Sequence, residues 1–254
     1  MSRFASYPSL RERAVVVTGG ATGIGASIVE HFVAQGARTG FLDFDGAAGR
    51  ALAERLARTG HCRFVEADLR DIVQLRRGVD ALREALGAPI TVLVNNAARD
   101  DRHGIDEVTP EYWDERMAAN LRHQFFAAQA VKDGMIAGGG GSIVNLSSIS
   151  FLLKQGGMPV YLTAKSAVTG LTHALARDLG PHMIRVNAVV PGWIMTERQL
   201  LLWVKPESEA QIRQGQCLPE KLYPEDVARM VLWLAADDSR LVTAQHFVVD
   251  GGWS

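Results

Sequence analysis

The stretch Ala14-Val15-Val16-Val17-Thr18-Gly19-Gly20-Ala21-Thr22-Gly23-Ile24-Gly25 decides the fold of this 254-residue chain. Its apolar, β-branched start is typical of a buried parallel strand and leads directly into a glycine-rich turn. Glycines at 19, 23 and 25 permit a tight turn, close approach of the backbone to a ligand and close packing of a following helix. The N-terminus of that helix would present N–H groups to a pyrophosphate, which predicts a dinucleotide site; an ordinary βα turn is the alternative.

Strand-like and helix-like segments alternate along the rest of the chain. Apolar, β-branched runs predict strands at residues 14–18, 39–43, 63–66, 90–95, 142–146, 185–190 and 246–249. Helical patterns occur near residues 23–35, 46–59, 71–87, 111–136, 160–179 and 224–236. Repeated β–α–β units predict an α/β fold, namely one doubly wound Rossmann domain over residues 1–254, whose seven-stranded parallel sheet carries helices on both faces.

Two details of this pattern are specific predictions. In the fourth helix, Met117, Leu121, Phe125 and Ala128 have the spacing of a stripe that faces the core. The segment at about 193–222 falls outside the alternation and lies near the end of the sheet, which predicts a lid over the substrate site.

The composition excludes several classes of partner. With 27 basic and 28 acidic side chains, the chain has no electrostatic footprint for nucleic acid or an anionic membrane. No signal peptide or long apolar span is seen, and the two cysteines, Cys62 and Cys217, match neither a disulfide framework nor a zinc site. We therefore expect a soluble cytoplasmic protein with a small-molecule substrate and no bound metal.

Asp43 indicates which dinucleotide is bound. It lies at the end of the second predicted strand, 18 residues after Gly25. A carboxylate there can accept hydrogen bonds from ribose hydroxyls and would repel a 2′-phosphate. Neither the glycine turn nor residues 39–49 contain an Arg or Lys that could neutralise such a phosphate. The sequence therefore predicts NAD rather than NADP.

Tyr161 and Lys165 form a candidate acid/base pair. They are four residues apart in a helical segment and so project from one face. Free tyrosine ionises near a pKa of about 10, and an ammonium within about 4–6 Å can lower a neighbouring acid's pKa by about 1–3 units. Ser148, at the end of the fifth strand, could donate to the same substrate oxygen. Chance is the alternative, because such a pair arises at random in about 8% of chains of this composition and serines often only cap turns.

Together these residues resemble the short-chain dehydrogenase/reductase family over essentially the whole chain. The resemblance implies that Tyr161 is the catalytic acid/base, that Lys165 tunes it and holds the nicotinamide ribose, and that Ser148 positions the reacting oxygen. Asn120 would anchor a proton-relay water. The motifs that carry the resemblance are Thr18–Gly25, Asp68-Leu69, Asn95-Asn96-Ala97, Asn120, Ser148, Tyr161-x-x-x-Lys165 and Pro191-Gly192 followed by Thr196.

The resemblance also implies a complete NAD site. Asp68 would lie beside the adenine, Asn95 beside the adenosine ribose, and the Pro191–Thr196 loop against the nicotinamide amide. Ala98 departs from the family's usual glycine at that position and would narrow the cleft slightly. The implied cofactor-binding residues are Gly19, Thr22, Gly23, Ile24, Gly25, Asp43, Asp68, Leu69, Asn95, Ala97, Tyr161, Lys165, Pro191, Gly192, Ile194 and Thr196.

A narrower resemblance, to aldose 1-dehydrogenases of the D-xylose type, concerns the substrate. It is carried by the segments 98–103, 112–116, 120–123, 196–199 and 216–217. A site that selects a sugar needs several fixed donors and acceptors. The alternatives are that residues 100–103 form a solvated loop or a subunit contact, that Trp193 packs the lid, and that His123 lies on a helix surface. The candidate substrate residues are Ser148, Tyr161, Arg102, His103, Trp193 and Arg198.

Three functions remain open from the sequence. The leading one is NAD-dependent oxidation of C1 of a pentose or 6-deoxyhexose pyranose to the lactone by a Ser-Tyr-Lys mechanism. The second is oxidation of a ketodeoxy sugar acid, held by Arg102, Arg122 or Arg198, or reduction of a 3-oxoacyl thioester, against which Asp43 argues. The third is a non-catalytic nucleotide-binding scaffold. The family resemblance further implies a homotetramer built on the helices near 111–136 and 160–179 and the segment 251–254.

Overall fold

A parallel sheet of seven strands forms the centre of the computed structural model, which describes residues 4–254. The spatial order of the strands is β3-β2-β1-β4-β5-β6-β7, and every neighbouring pair is parallel. The predicted doubly wound α/β fold is therefore confirmed. The strands are β1 (Ala14–Thr18), β2 (Arg38–Asp43), β3 (Cys62–Glu66), β4 (Ile90–Asn95), β5 (Gly141–Leu146), β6 (Ile184–Pro191) and β7 (His246–Val249).

Helices cover both faces of this sheet. In β1, Val15 and Val17 belong to one apolar core and Val16 to the other, because successive side chains of a strand point to opposite faces. Residues of α1, α2 and α9 fill the first core, and those of α3, α5 and α6 fill the second. The helices are α1 (Gly23–Ala34), α2 (Gly46–Leu56), α3 (Ile72–Leu86), α4 (Pro110–Met117), α5 (His123–Ala137), α6 (Pro159–Leu179), α7 (Glu197–Leu202), α8 (Pro206–Gly215) and α9 (Pro224–Ala235).

The segment predicted as one helix over 111–136 is interrupted in its middle. A π-helical turn at Ala118–Arg122 separates α4 from α5. Because a π-turn contains an extra residue, it rotates the following helix relative to the preceding one. The predicted stripe is therefore partly wrong: Phe125 is 42% exposed, whereas Ala128 is buried. The turn instead buries Asn120 and His123.

The segment at about 193–222, which the sequence predicts as a lid, contains two short helices. Thr196 caps α7 by accepting a hydrogen bond from the Gln199 N–H at 3.2 Å. A bridge between Ile194 and Leu222 joins the two ends of the segment. Both helices therefore project from one place at the carboxyl end of the sheet, next to the crevice between β1 and β4 where the strand order reverses.

None of the helices in residues 4–254 combines the length and the apolar character that crossing a bilayer requires.

Replacing Gly25 by alanine should destabilise the fold. A Cβ at this position would lie 1.8 Å from the Gly19 carbonyl oxygen and 2.6 Å from Nδ2 of Asn96, so the backbone must shift. We expect the free energy of unfolding, measured by urea denaturation, to fall by about 1–3 kcal/mol.

Gly134→Ala is the matched control. Among the described residues, nothing lies within 4 Å of a Cβ placed there, inside α5. It should raise the free energy of unfolding by about 0.5–1 kcal/mol, since alanine loses less backbone entropy on folding. Equal effects of the two substitutions would show that the turn is not closely packed.

Candidate active site

A cleft of about 930 Å³ lies at the carboxyl ends of the strands. It is lined by the glycine turn, by the ends of β2, β4, β5 and β6, and by α7. Of the residues predicted from the sequence to form the site, Asn95, His103, Asn120 and the alternative cation Arg122 do not line this cleft within the described chain. Those that do are Gly19, Thr22, Gly23, Ile24, Gly25, Asp43, Asp68, Leu69, Ala97, Arg102, Ser148, Tyr161, Lys165, Pro191, Gly192, Trp193, Ile194, Thr196 and Arg198.

The glycine turn has the geometry of a phosphate cradle. Gly19 has a φ of +65°, and a Cβ there would lie 2.6 Å from Cα of Ala97. Asn96 closes the turn from the neighbouring strand, because its Nδ2 donates to the Gly19 carbonyl at 2.7 Å. Within the described chain the Thr22 side chain makes no capping hydrogen bond to α1, so the N–H groups of the first helical turn can face a ligand. This cradle fits the pyrophosphate of a dinucleotide.

Asp43 is held rigidly at the edge of the cleft. It is 7% exposed; its Oδ2 accepts from the Ala21 N–H at 2.9 Å, and its Oδ1 accepts from the Asp45 N–H at 3.1 Å. Each carboxylate oxygen can accept a further hydrogen bond, so the residue can also receive ribose hydroxyls.

Asp68 forms a close ion pair with the side chain of Arg70. The Arg70 guanidinium donates to Oδ1 and Oδ2 of Asp68 and also contacts Glu115 at 2.6 Å. The hydrogen bond from the Arg70 guanidinium lowers the pKa of Asp68. The positive charge of Arg70 at this part of the cleft is thus balanced by two carboxylates.

Ser148, Tyr161 and Lys165 line the same part of the cleft. Lys165 is 1% exposed, and its Nζ donates to the Leu146 carbonyl at 2.8 Å and lies 5.8 Å from the Tyr161 ring centroid. Burial lowers the pKa of Lys165 to about 8, although the negative charge of Asp100 acts to raise it. The Ser148 hydroxyl is 2.8 Å from that of Ser150.

The pKa of Tyr161 is raised rather than lowered. Burial is the main cause and the negative charge of Asp100 adds to it, whereas a hydrogen bond with Ser148 and the charge of Arg102 act in the opposite direction. The expectation that Lys165 lowers this pKa is therefore not met by the protein alone: Lys165 is not among the groups that act on it, and the loss of solvent around the phenol outweighs the effects of Ser148 and Arg102.

Asn95 and Asn120 lie behind the cleft. The Nδ2 of Asn95, which is fully buried, donates to Oδ1 of Asn145 on β5 at 2.9 Å. The expected contact of this side chain with the adenosine ribose is thus replaced by a link between strands, and Asn96 lines the cleft instead. Asn120, also fully buried, accepts the Arg99 N–H at 2.7 Å, which fixes the start of the loop after β4.

His103 is a structural residue. Its Nε2 accepts from the Val160 N–H at 3.2 Å, so its Nδ1 carries the proton and faces the Asp101 carbonyl at 2.9 Å. The Tyr112 hydroxyl lies 2.9 Å from the same Nδ1. Because both ring nitrogens are engaged in pinning the loop to the start of α6, the assignment of His103 to the substrate is wrong.

His123 is buried, not on a helix surface as expected. It has no exposed area, and its Nε2–H donates to the Ala97 carbonyl at 3.0 Å. Burial, assisted by the positive charge of Lys165, lowers the pKa of His123 to about 3. A neutral imidazole therefore supports the strand end that packs on Gly19.

Charged residues meet at the mouth of the cleft. Arg198 of α7 contacts Asp101 at 2.6 Å and Asp100 at 3.4 Å, and Gln199 also donates to Asp100. Arg102 makes no ion pair within residues 4–254; its guanidinium lies 5.1 Å from the Trp203 ring centroid, and burial lowers its pKa. The polar lining is thus partly engaged in holding α7 and partly available to a ligand.

Several other lining residues were not among the site residues predicted from the sequence, Ser150, Gln155 and Trp253 among them. Trp253 reaches the cleft from the segment after β7 and stacks with Trp193, with ring centroids 6.4 Å apart and planes at 14°. Because ligands bind at the carboxyl ends of parallel strands, residues directly after β5 or β6 can be predicted to line the cleft. Trp253 lies next to the cleft through a contact with Trp193, far away in the sequence, which no local motif encodes.

Comparison with known proteins extends these observations. The family model described as "Enoyl-(Acyl carrier protein) reductase" matches residues 19–254. A protein of Rhizobium meliloti (strain 1021) named "Probable galactose dehydrogenase GalD" is 49% identical over 250 residues, which are 98% of this chain and 97% of the relative. The D-xylose 1-dehydrogenase of Caulobacter vibrioides (strain NA1000 / CB15N) is 45% identical over 250 residues, 98% of each chain.

A solved structure has the same architecture. The blue fluorescent protein from a metagenomic library, in complex with NADPH, superimposes with a TM-score of 0.88 at 35% identity, covering 97% of this chain and 99% of that chain.

Replacing His123 by glutamine should reduce the acid sensitivity of the fold. The folded-state pKa of about 3 lies below the usual value of about 6.5, so the unfolded chain binds the proton first as pH falls. The contribution of His123 to the free energy of unfolding is fully present above pH ~6.5. It decreases by about 1.5–2 kcal/mol between pH 6.5 and 5. Urea denaturation at these two pH values should show a smaller loss in His123→Gln than in the wild type.

His61→Gln is the control, because His61 is exposed. It should leave the pH dependence of unfolding as in the wild type. A variant of His123 that kept the full wild-type dependence would contradict the buried, neutral state.

Proposed function

Because the chain belongs to the short-chain dehydrogenase/reductase family, we propose that it is an NAD-dependent sugar dehydrogenase that oxidises C1 of an aldopyranose to the lactone. Family membership makes it an oxidoreductase that acts on CH–OH donors. The observation that carries the finer proposal is that Ser148, Tyr161 and Lys165 line one cleft together with polar side chains able to bind several hydroxyls.

In the proposed reaction, Tyr161 acts in its ionised form: its Oη accepts the proton of the anomeric hydroxyl and becomes a neutral phenol, while Ser148 donates a hydrogen bond to the same substrate oxygen. When bound, NAD supplies the acceptor for the hydride that leaves C1. Lys165, in its charged form, stabilises the tyrosinate and binds the nicotinamide ribose. Asn120 remains the proposed anchor of a proton-relay water, because its buried Nδ2 has no partner in the described chain.

The preference for NAD rests on Asp43. Its carboxylate is fixed by two backbone N–H groups at the end of β2, where a ribose hydroxyl would be received. The solved relative bound to NADPH shows that the family also uses the phosphorylated cofactor, so relatives do not decide the question. A fixed negative charge at this position disfavours a 2′-phosphate.

The substrate class rests on the cleft lining and on the names of the relatives. Those relatives are named for galactose and D-xylose, and the residues proposed to bind the sugar here are Ser148, Tyr161, Arg102, Trp193 and Arg198. Arg102 favours a second candidate, a ketodeoxy sugar acid, because an unpaired guanidinium in the cleft could bind a carboxylate. A 3-oxoacyl thioester and a purely nucleotide-binding scaffold are less well supported, given Asp43 and the complete Ser-Tyr-Lys set.

We also propose a homotetramer acting in the cytoplasm. Apolar side chains of α4, α5 and α6, including Phe125 and Leu171, line a surface groove that a second copy could cover. Both cysteines, Cys62 and Cys217, are free, which is compatible with a reducing compartment.

Tyr161→Phe should abolish turnover, because the proton acceptor is removed while the ring stays in place. We expect the initial rate of NADH formation to fall by at least about 10²-fold, with NADH binding unchanged. Tyr112→Phe is the control, since the Tyr112 hydroxyl faces His103 away from the cleft and its loss should leave the rate nearly intact. A Tyr161→Phe enzyme with more than a few per cent of wild-type activity would rule out this assignment.

Absorbance at 340 nm, recorded with NAD and NADP side by side, tests both cofactor and substrate. We expect activity on D-xylose, L-arabinose, L-fucose or D-galactose, with kcat/KM for NAD at least about tenfold above that for NADP. Asp43→Asn should reduce this preference, whereas Asp71→Asn, which retains a helix-capping side chain at the start of α3 and lies outside the cleft, should not.

Ketodeoxy sugar acids and 3-oxoacyl thioesters belong in the same panel. Turnover of an acid alone, lost in Arg102→Met, would favour the second candidate over the aldose. Binding of NADH without turnover of any compound would favour the scaffold.

A further inference from the structure

Trp253 forms part of the cleft wall, although the family resemblance implied only a subunit contact for the segment 251–254. Its indole and that of Trp193 both line the cleft, and their planes are nearly parallel, at 14°. Trp193 follows β6 and Trp253 follows β7, so two neighbouring strands each contribute one indole to the same wall. The two rings stack on each other, so this part of the cleft wall is built from a pair of parallel aromatic rings.

The backbone on both sides of Trp253 is fixed by a buried carboxylate. Asp250 is 5% exposed; its Oδ1 accepts from the Gly252 N–H at 2.8 Å and its Oδ2 from the Ser254 N–H at 2.7 Å. The Nε2 of Gln216 donates to the Asp250 carbonyl at 3.2 Å. These bonds set the position of the indole before any ligand arrives, so little conformational entropy is lost when a ligand packs on it.

Gly215 provides the space that Trp253 occupies. A Cβ at residue 215, the last residue of α8, would lie 2.3 Å from both Cε2 and Nε1 of the indole. The indole therefore packs directly on the backbone at the end of α8. A methyl group at this position would displace the ring without changing any residue that lines the cleft.

Polar side chains line the cleft as well, Arg102, Gln155 and Gln199 among them, beside apolar ones such as Leu153 and Met158. A pyranose with an axial 4-hydroxyl matches such a site, because the hydrogens on C3, C4 and C5 then lie on one face and form a continuous apolar patch. In an all-equatorial pyranose these hydrogens alternate between the two faces. An aromatic ring gains more contact area and more weak C–H interactions from such a continuous patch than from hydrogens that alternate between the faces.

We infer that Trp253, together with Trp193, is the platform on which the sugar ring stacks, and that it makes the enzyme prefer galacto-configured sugars (D-galactose, D-fucose, L-arabinose) to D-xylose. This inference rests on the proposed sugar dehydrogenase function. Trp253 is a specificity-determining residue: it selects the ring and takes no part in proton transfer.

The test is the ratio of kcat/KM for D-galactose to that for D-xylose, in the wild type and in three variants. Trp253→Ala should lower the ratio about 5–10-fold, mainly through a higher KM for D-galactose. Trp253→Phe, which keeps an aromatic face, should retain most of the preference. Gly215→Ala should lower the ratio as Trp253→Ala does, because it displaces the indole.

Trp113→Ala is the matched control, because Trp113 lies on α4, 40% exposed and away from the cleft; its ratio should equal that of the wild type. NADH binding, followed by the emission of NADH, shows that each variant is folded, and Trp253→Phe decides the matter if the alanine variant does not fold. A wild type that prefers D-xylose, or Trp253 and Gly215 variants with an unchanged ratio, would overturn the inference while the proposed function stands. A wild type that oxidises no aldose would overturn both.

Discussion

The close approach of three backbone segments at the crevice between β1 and β4 is the constraint on which the structure depends. Gly19, Gly25 and Ala97 come so near one another that a Cβ on either glycine would meet backbone atoms at 2.6 Å or less. This contact brings the N-terminus of α1 to the carboxyl edge of the sheet. It also fixes the end of β4, and with it the start of the loop that carries Asp100 and Arg102 into the cleft.

The residues that hold this crevice from behind are polar and fully buried. His123 donates to Ala97, Asn120 accepts the Arg99 N–H, and Asn95 joins β4 to β5. Asn95 belongs to β4, and Asn120 and His123 lie in or directly after the π-helical turn. The extra residue of this turn directs their side chains toward the strand ends, whereas a regular helix would direct them elsewhere. Burying such groups is costly unless they are bonded, so these contacts specify one arrangement of the loop after β4.

Most of the fold follows from local patterns in the sequence. The apolar, β-branched runs predict all seven strands, and most of these runs are continuous because strands covered on both faces are apolar throughout; the glycine turn identifies the ligand-binding edge. The same double coverage explains one failure: without alternation in β4, the sequence does not tell which of Asn95 and Asn96 faces the cleft. The π-turn leaves no mark in a 3.6-residue pattern, so the exposure of Phe125 and the burial of His123 could not be predicted. The contacts of His103 and Trp253 depend on segments far apart in the chain.

The two ends of the segment over the cleft are held with different strength. At the cleft mouth, α7 is joined to the loop after β4 by Arg198, which is 46% exposed, and an exposed ion pair of this kind contributes only about 0–1 kcal/mol. The end of α8 is held by the segment around the buried Asp250 and by the packing of Trp253 on Gly215, neither of which solvent can easily replace. Movement of this segment should therefore begin at α7. The aromatic wall would stay in place while the polar side of the cleft opens, so a ligand can enter without losing the surface on which it first packs.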